Sequence, residues 1–304
     1  MGPGGDGVGG TVGVVDAQFG EQAGALAVDV PGAAFFDTAD AYGAGHSERV
    51  LGRALRGRRD EAVIATKWGN TFDEQTRTLT GSNDSAGHVR RALLASLRRL
   101  GTEHVDLYQL HLADAPLDRA VELREACDEL VREGLVRGYA WSTDDPQRAA
   151  LFAERTHCVA VQFGANVLQD APELFAFCEN RELTGINRSP LAMGLLADKK
   201  KGRGSHADAD DIRSAPPGWL TWYSAGAVPA PDWTERVSAV REVLTSEGRT
   251  LAQGALAWLW ARSPRSVPIP GCRSVAQIEE NAGTLNHGPL SEDDMKEIES
   301  LLNG

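Results

Sequence analysis

AAFFDTADAYGAGHSE, residues 33–48, is an apolar run of strand character that ends in two aspartates and a tyrosine, with no large hydrophobic side chain at hand to cover them. That combination is expected where the body of a strand lies in a core and its tip lines a pocket. Parallel α/β sheets produce such tips, because every strand points toward one common rim and functional groups collect there.

Outward from this stretch, short β-branched runs alternate with longer segments of helical period, the pattern of repeated βα units on a parallel sheet. The expected strands are AAFFDTA (33–39), AVIATKW (62–68), VDLYQLH (105–111), RGYAWST (137–143), CVAVQF (158–163), LTGINRS (183–189) and SVPIPG (266–271). Between them HVRRALLASLRRLG places Val89, Leu93, Leu97 and Leu100 on one helical stripe, and LDRAVELREACDELVREG does so with Val121, Leu130 and Val131 before Gly134 ends it. Ser47 reads as an N-cap, and SVAQIEEN and SEDDMKEIESLL each open with a serine followed by acidic residues, as helix starts do.

A closed barrel needs one strand more, and TVGVV (11–15) is the candidate, with DAQFGEQAGALAVDV after it as a first helix. The interior glycines of that helix each cost about 1 kcal/mol relative to alanine. The fold expected is therefore α/β, a (β/α)8 TIM barrel with an abbreviated or atypical first strand. It forms one domain over residues 1–304, with residues 1–10 Gly-rich and compatible with disorder and 197–232 a long loop. That loop is rich in Gly, Pro, Ser and Asp, and its Trp219, Trp222 and Tyr223 either line a substrate pocket or pack on the outer helices.

At 304 residues, 42% hydrophobic and 24% charged, the chain can bury a large core as a single barrel. A net charge of -12 argues against a nucleic-acid partner, whose binding depends on clustered Lys and Arg. The basic run KKKGR (199–203) reads as a solvated loop rather than a phosphate site. Cys127, Cys158, Cys178 and Cys272 lack C-x-x-C spacing, so neither a metal site nor a disulfide framework is expected, and a reducing compartment fits. With neither a signal peptide nor an apolar run of about 18 residues, a cytoplasmic protein is expected.

Three strand tips carry complementary chemistry: Asp37, Lys67 and His111 share the rim, and Tyr42 follows Asp37 in the same loop. A phenol has an ordinary pKa of about 10, and a cation within roughly 4–6 Å favours the phenolate. A carboxylate keeps the lysine charged and placed, and an imidazole can orient a carbonyl oxygen. Asp40 is assigned to the loop turn.

FFDTADAYG, IATKWG, VDLYQLH, INRSPLAMGLL and VPIPGCRSVAQIEEN together resemble the successive signatures of the aldo-keto reductases, from about residue 33 to the end. The resemblance implies a (β/α)8 barrel that reduces aldehydes and ketones with NADPH at the C-terminal rim, without a metal. It implies catalytic roles for Tyr42 as general acid, Lys67 as the cation that tunes it, Asp37 as the partner of Lys67, and His111 as the group that aligns the carbonyl.

For the cofactor, Ser142 and Gln162 match positions that hold the nicotinamide carboxamide, Thr143 stands where many members have Asn, and Arg188 stands where many stack an aromatic ring on the nicotinamide. Ser189, Pro190, Leu191 and Gly194 match the loop beside the pyrophosphate. Gly271, Arg273, Gln277 and Asn281 match the adenosine end, with Arg273 suited to a 2'-phosphate. Two departures stand out: the altered N-terminal strand, and ADKKKGRG in place of a T-G-K-like continuation after LAMGLL. MGPGGDGVGG matches G-x-G-x-x-G without a strand before it, which argues against a dinucleotide fingerprint. Two other functions remain open: an NADPH-binding barrel with little catalysis, such as a redox sensor or regulatory subunit, and a lyase or isomerase using Lys67 as a Schiff base.

Overall fold

Parallel strands form the central sheet of the computed structural model, which describes residues 13–15, 34–198, 212–218 and 220–303. The first are β1 (Gly13–Val15), β2 (Phe35–Asp37) and β3 (Val63–Trp68), followed by an antiparallel hairpin of β4 (Asn70–Asp73) and β5 (Thr78–Ser82). The sheet continues with β6 (Val105–Leu110), β7 (Val136–Ser142), β8 (Cys158–Gly164) and β9 (Thr184–Arg188). A small hairpin of β10 (Tyr223–Ser224) and β11 (Val228–Pro229) precedes the last sheet strand, β12 (Ser266–Pro268). β1 lies within the expected TVGVV segment and pairs in parallel with β2, Val15 opposite Asp37. The helix expected over 16–30, the Gly-rich residues 1–10, the basic run 199–203 and Trp219 fall outside the described residues.

The helices alternate with the strands as βα units require: α1 (His46–Ala54), α2 (Ala86–Leu100), α3 (Leu117–Arg132), α4 (Pro146–Phe152), α5 (Pro172–Asn180), α6 (Pro231–Leu244), α7 (Leu251–Arg262), α8 (Val275–Ala282) and α9 (Glu292–Asn303). The architecture is the expected α/β barrel of TIM type. No helix among the described residues is long and apolar enough to cross a membrane.

Strand side chains alternate between two faces. The inward face carries a compact layer of Ala65, Leu107, Ala140, Ala160, Ile186 and Ile269, which fills the barrel. The outward face carries the large residues Ile64, Trp68, Tyr108, Leu110, Tyr139 and Trp141, which pack against Val89, Leu93, Leu97 and Leu100 of α2 and Leu123 and Leu130 of α3. The α2 stripe is thus the one expected. On α3 the expectation for Val121 fails: it is 36% exposed, and Ala120, Leu123, Cys127 and Leu130 form the buried side instead.

Two helix contacts are so close that only glycine fits. A Cβ on Gly254 of α7 would lie 2.0 Å from the Leu244 carbonyl oxygen, and one on Gly52 of α1 would lie 2.3 Å from that of Leu100. Ser47 does not cap α1. Gly45 holds that position, and the Ser47 hydroxyl, buried within the first turn, pairs with Thr38 Oγ1 at 2.8 Å. The serine before α9 does act as expected, with Ser291 Oγ accepting from the Asp294 amide at 3.1 Å. Trp222 and Tyr223 are buried with Val237, Val240 and Leu244 of α6, so this part of the long loop folds onto the outer helical layer.

Candidate active site

The polar rim follows from the same alternation that builds the core. Two residues beyond five of the six inward apolar positions comes an inward polar one: Lys67 after Ala65, Gln109 after Leu107, Ser142 after Ala140, Gln162 after Ala160 and Arg188 after Ile186. Asp37 stands in the same relation to Phe35 on β2. The strands are parallel, so these side chains form one ring at the C-terminal end of the sheet.

At the centre of that ring Lys67 and Asp37, both wholly inaccessible to solvent, form an ion pair through Nζ and Oδ1. Lys67 Nζ also donates to the Thr38 carbonyl at 2.9 Å and to the Tyr42 hydroxyl at 3.4 Å, and it lies 4.9 Å from the centre of the Tyr42 ring. Burial pulls the ammonium toward its neutral form. The Asp37 carboxylate and Tyr42 together outweigh that pull and hold the Lys67 pKa above its ordinary value.

His111 closes the other side, its ring edge-to-face with Tyr42 at a centroid distance of 5.7 Å. Its Nδ1 is buried and makes no hydrogen bond among the described residues. Burial, reinforced by the charges of Lys67 and Arg188, lowers its pKa to about 3, so the imidazole is neutral throughout the physiological range. The four groups singled out at the strand tips therefore meet at one mouth.

Sequence reasoning missed Gln109 in the layer that supports them. Gln109 Nε2 donates to Asp37 Oδ2 at 2.7 Å, and Gln162 Nε2 donates to the same oxygen at 2.9 Å and to Gln109 Oε1 at 3.1 Å. Ser142 Oγ donates to Gln162 Oε1 at 3.2 Å. The Asp37 carboxylate is thereby held on both oxygens, and Ser142 and Gln162 join the same network as the reacting groups. The period-two offset from Leu107 was the signal that would have found Gln109.

Other residues matched to the cofactor divide into two groups. Arg188 and Ser189 lie at and just beyond the end of β9, with Ser189 at φ 55° and its carbonyl accepting from Asn166 Nδ2 at 3.1 Å. Pro190 is buried, Leu191 accepts from the Gly194 amide at 2.9 Å, and exposed Gly194 adopts φ 94°. The Thr143 hydroxyl turns elsewhere, donating to the Ala113 carbonyl at 3.0 Å and accepting from the Asp145 amide at 3.2 Å. Beyond β12, Gly271 and Arg273 are exposed. Gln277 Oε1 accepts from the Arg273 amide at 2.6 Å, and Asn281 Nδ2 donates to Cys272 Sγ at 3.1 Å, so these two side chains brace the loop that presents Arg273.

Asp40 lies in the turn after β2, as expected, but inside the fold rather than at its surface. It is buried beside Glu48, which accepts from Thr66 Oγ1 at 2.6 Å and from Arg99 Nε at 2.6 Å, and Asp40 Oδ1 makes no hydrogen bond among the described residues. Burial first, and the Glu48 carboxylate second, push the Asp40 pKa up to about 8. In the unfolded chain an aspartate releases its proton near pH 3.9. Folding therefore retains a proton that the unfolded state gives up, and Asp40 weakens the fold progressively as pH rises from about 4 to about 8. Asp40→Asn keeps an acceptor for the Ala41 amide and cannot ionise. It is expected to raise the Tm, slightly at pH 5 and most at pH 8 and above. Melting curves with an equal gain at both pH values, or a loss at pH 8, would contradict this.

The fold and this rim define a class, and comparison with known proteins gives the same one. Residues 1–303 match the model of the aldo/keto reductase family, and the chain belongs to that family. It is 29% identical over 276 residues, 88% of this chain and 78% of the relative, to the NADP(+) aldo-keto reductase yakc of Schizosaccharomyces pombe. Its structure resembles the holo form of aldo-keto reductase AKR11C1 from Bacillus halodurans, with a TM-score of 0.74 and 26% identity over 96% of this chain and 91% of that one. The aldo/keto reductase of Klebsiella pneumoniae in complex with NADP and acetate is similar with a TM-score of 0.66 and 25% identity, covering 96% and 90% of the two chains. The chain is accordingly an oxidoreductase of this family.

Proposed function

We propose that the protein reduces an aldehyde or ketone to an alcohol with NADPH, Tyr42 acting as the general acid. The observation that carries this reading is the contact of Lys67 Nζ with the Tyr42 hydroxyl at 3.4 Å, with Asp37 fixing the ammonium from behind. An ammonium at that distance is placed to steady the negative charge that develops on the oxygen as its proton leaves. Neutral His111, with its ring against Tyr42, is placed to donate a hydrogen bond to the carbonyl oxygen and so direct it at the phenol.

The rim suits a nicotinamide dinucleotide. Arg188 Nε is a buried donor without a partner among the described residues, Gly194 offers exposed backbone with no side chain, and Arg273 stands exposed beyond β12. Gln162 and Ser142 would hold the carboxamide, Arg188 the nicotinamide face, residues 189–194 the pyrophosphate, and Arg273 the 2'-phosphate. When bound, NADPH supplies the hydride. The family kinship and the NADP complex of the Klebsiella relative support the cofactor choice. No disulfide joins the buried cysteines, which suits a reducing compartment, and we place the protein in the cytoplasm.

The Schiff-base reading loses support from the same geometry. An amine nucleophile must be neutral, and enzymes achieve this by lowering the lysine pKa, whereas here Asp37 holds Lys67 charged. Purified protein is expected to quench or shift NADPH fluorescence and to oxidise NADPH with a reactive aldehyde such as a nitrobenzaldehyde, followed at the nicotinamide absorbance. Binding without turnover across a broad carbonyl panel would favour a sensor or regulatory role instead.

A further inference from the structure

Asp144 follows β7 by two residues and belongs to none of the groups assigned above, yet it ties together the tips of three neighbouring strands. Its Oδ2 pairs with Arg188 Nη2 at the end of β9, and its Oδ1 accepts from the Gly164 amide at the end of β8 at 2.8 Å. Its own backbone is steadied by the preceding residue, since the Thr143 hydroxyl grips Ala113 on one side and Asp145 on the other. A Cβ on Gly164 would lie 3.6 Å from Asp144 Oδ1 and 4.0 Å from Arg188 Cζ, so the guanidinium rests against bare backbone at that point.

A single exposed ion pair is ordinarily a weak and mobile contact. Asp144, with its side chain 61% exposed, would be one if it touched Arg188 alone. The second oxygen changes this: a charge-assisted bond to a strand-end amide fixes the carboxylate, and the fixed carboxylate then fixes the guanidinium. Arg188 is at the same time close enough to His111 that its charge adds to burial and to Lys67 in disfavouring the imidazolium. A cation at this edge of the mouth therefore has two attributes that matter, its orientation and its charge. Asp144 is the carboxylate paired with it.

We propose that Asp144 is a positioning residue for the nicotinamide end of the cofactor: it holds the Arg188 guanidinium against Gly164 as a preformed wall and offsets its charge beside His111. This rests on the reading of Arg188 as the group that stacks on the nicotinamide. Planar guanidinium groups stack on aromatic rings, and a wall that is already ordered binds more tightly than one that must be ordered on binding.

Equilibrium titration of NADPH fluorescence tests the proposal without turnover. Asp144→Asn retains an oxygen for the Gly164 amide and removes only the charge that holds Arg188. Its Kd for NADPH is expected to rise about five- to tenfold, with a Tm close to that of the wild type because an exposed pair adds little stability. The effect should vanish in an Arg188→Met background, where the wall is already gone, so that the double variant binds no worse than Arg188→Met alone. Unchanged or tighter NADPH binding by Asp144→Asn, or an equal loss in both backgrounds, would overturn the proposal while leaving the reductase reading intact. Wild-type protein that fails to bind NADPH would remove that reading and this inference with it.

Discussion

Tyr42→Phe is expected to lower kcat for carbonyl reduction by about 10²- to 10⁴-fold, the usual contribution of a positioned general acid, while the Kd for NADPH changes little. The substitution removes one oxygen and leaves the ring, so the edge-to-face contact with His111 is retained. Lys67 keeps its ion pair with Asp37 and its bond to the Thr38 carbonyl. The ammonium loses only its 3.4 Å contact with the hydroxyl, and the fold should be unaffected. Single-turnover measurements with saturating NADPH separate this outcome from a binding defect, because the loss should appear wholly in the chemical step. A variant that retained more than about a tenth of the wild-type rate would show that another group delivers the proton.

That Tyr42 could be named in advance depended on where its loop begins. Strand period and direction are local properties of sequence: FFD, VIATKW and VDLYQL each read as strands, and their parallel order makes their tips neighbours. Asp37, Lys67 and His111 were therefore legible, and so was the loop that carries Tyr42 across them. Asp144 was not legible, since its role depends on the backbone amide of Gly164 and the guanidinium of Arg188, brought close only when β7, β8 and β9 lie side by side. The burial of Asp40 in its turn was not legible for a related reason. A DTAD sequence after a strand has the composition of a turn, and nothing local announces that α1 and α2 bring Glu48 and Arg99 in over it. Gln109 was accessible in principle, because its inward parity is fixed by Leu107, but an amide draws less notice than a charge.

Lys67→Met should damage stability as well as rate. Breaking a buried ion pair by removing one partner costs about 3–5 kcal/mol, because the remaining charge stays in a medium that cannot solvate it. Here the stranded group is Asp37, still bonded to Gln109 and Gln162 through Oδ2 but without a partner for the oxygen that faced the ammonium. The cost should therefore fall toward the lower part of that range. The sign of its pH dependence follows from Lys67. Its folded pKa lies above the ordinary value, so the contribution is fully present below the unfolded pKa of about 10.4 and is lost only as pH rises through the folded one. Chemical denaturation of wild type and variant should give a difference that does not shrink as pH rises from 6 to 9. Pairing the change with Asp37→Asn removes the stranded charge while keeping acceptor and donor atoms for the two glutamines, and should restore much of the lost stability but none of the activity. Recovery of stability without rate would separate the structural penalty of an unpaired carboxylate from the chemical need for a cation beside Tyr42. If the double variant were instead as unstable as Lys67→Met, the loss would come from the packing of the methionine and not from the charge.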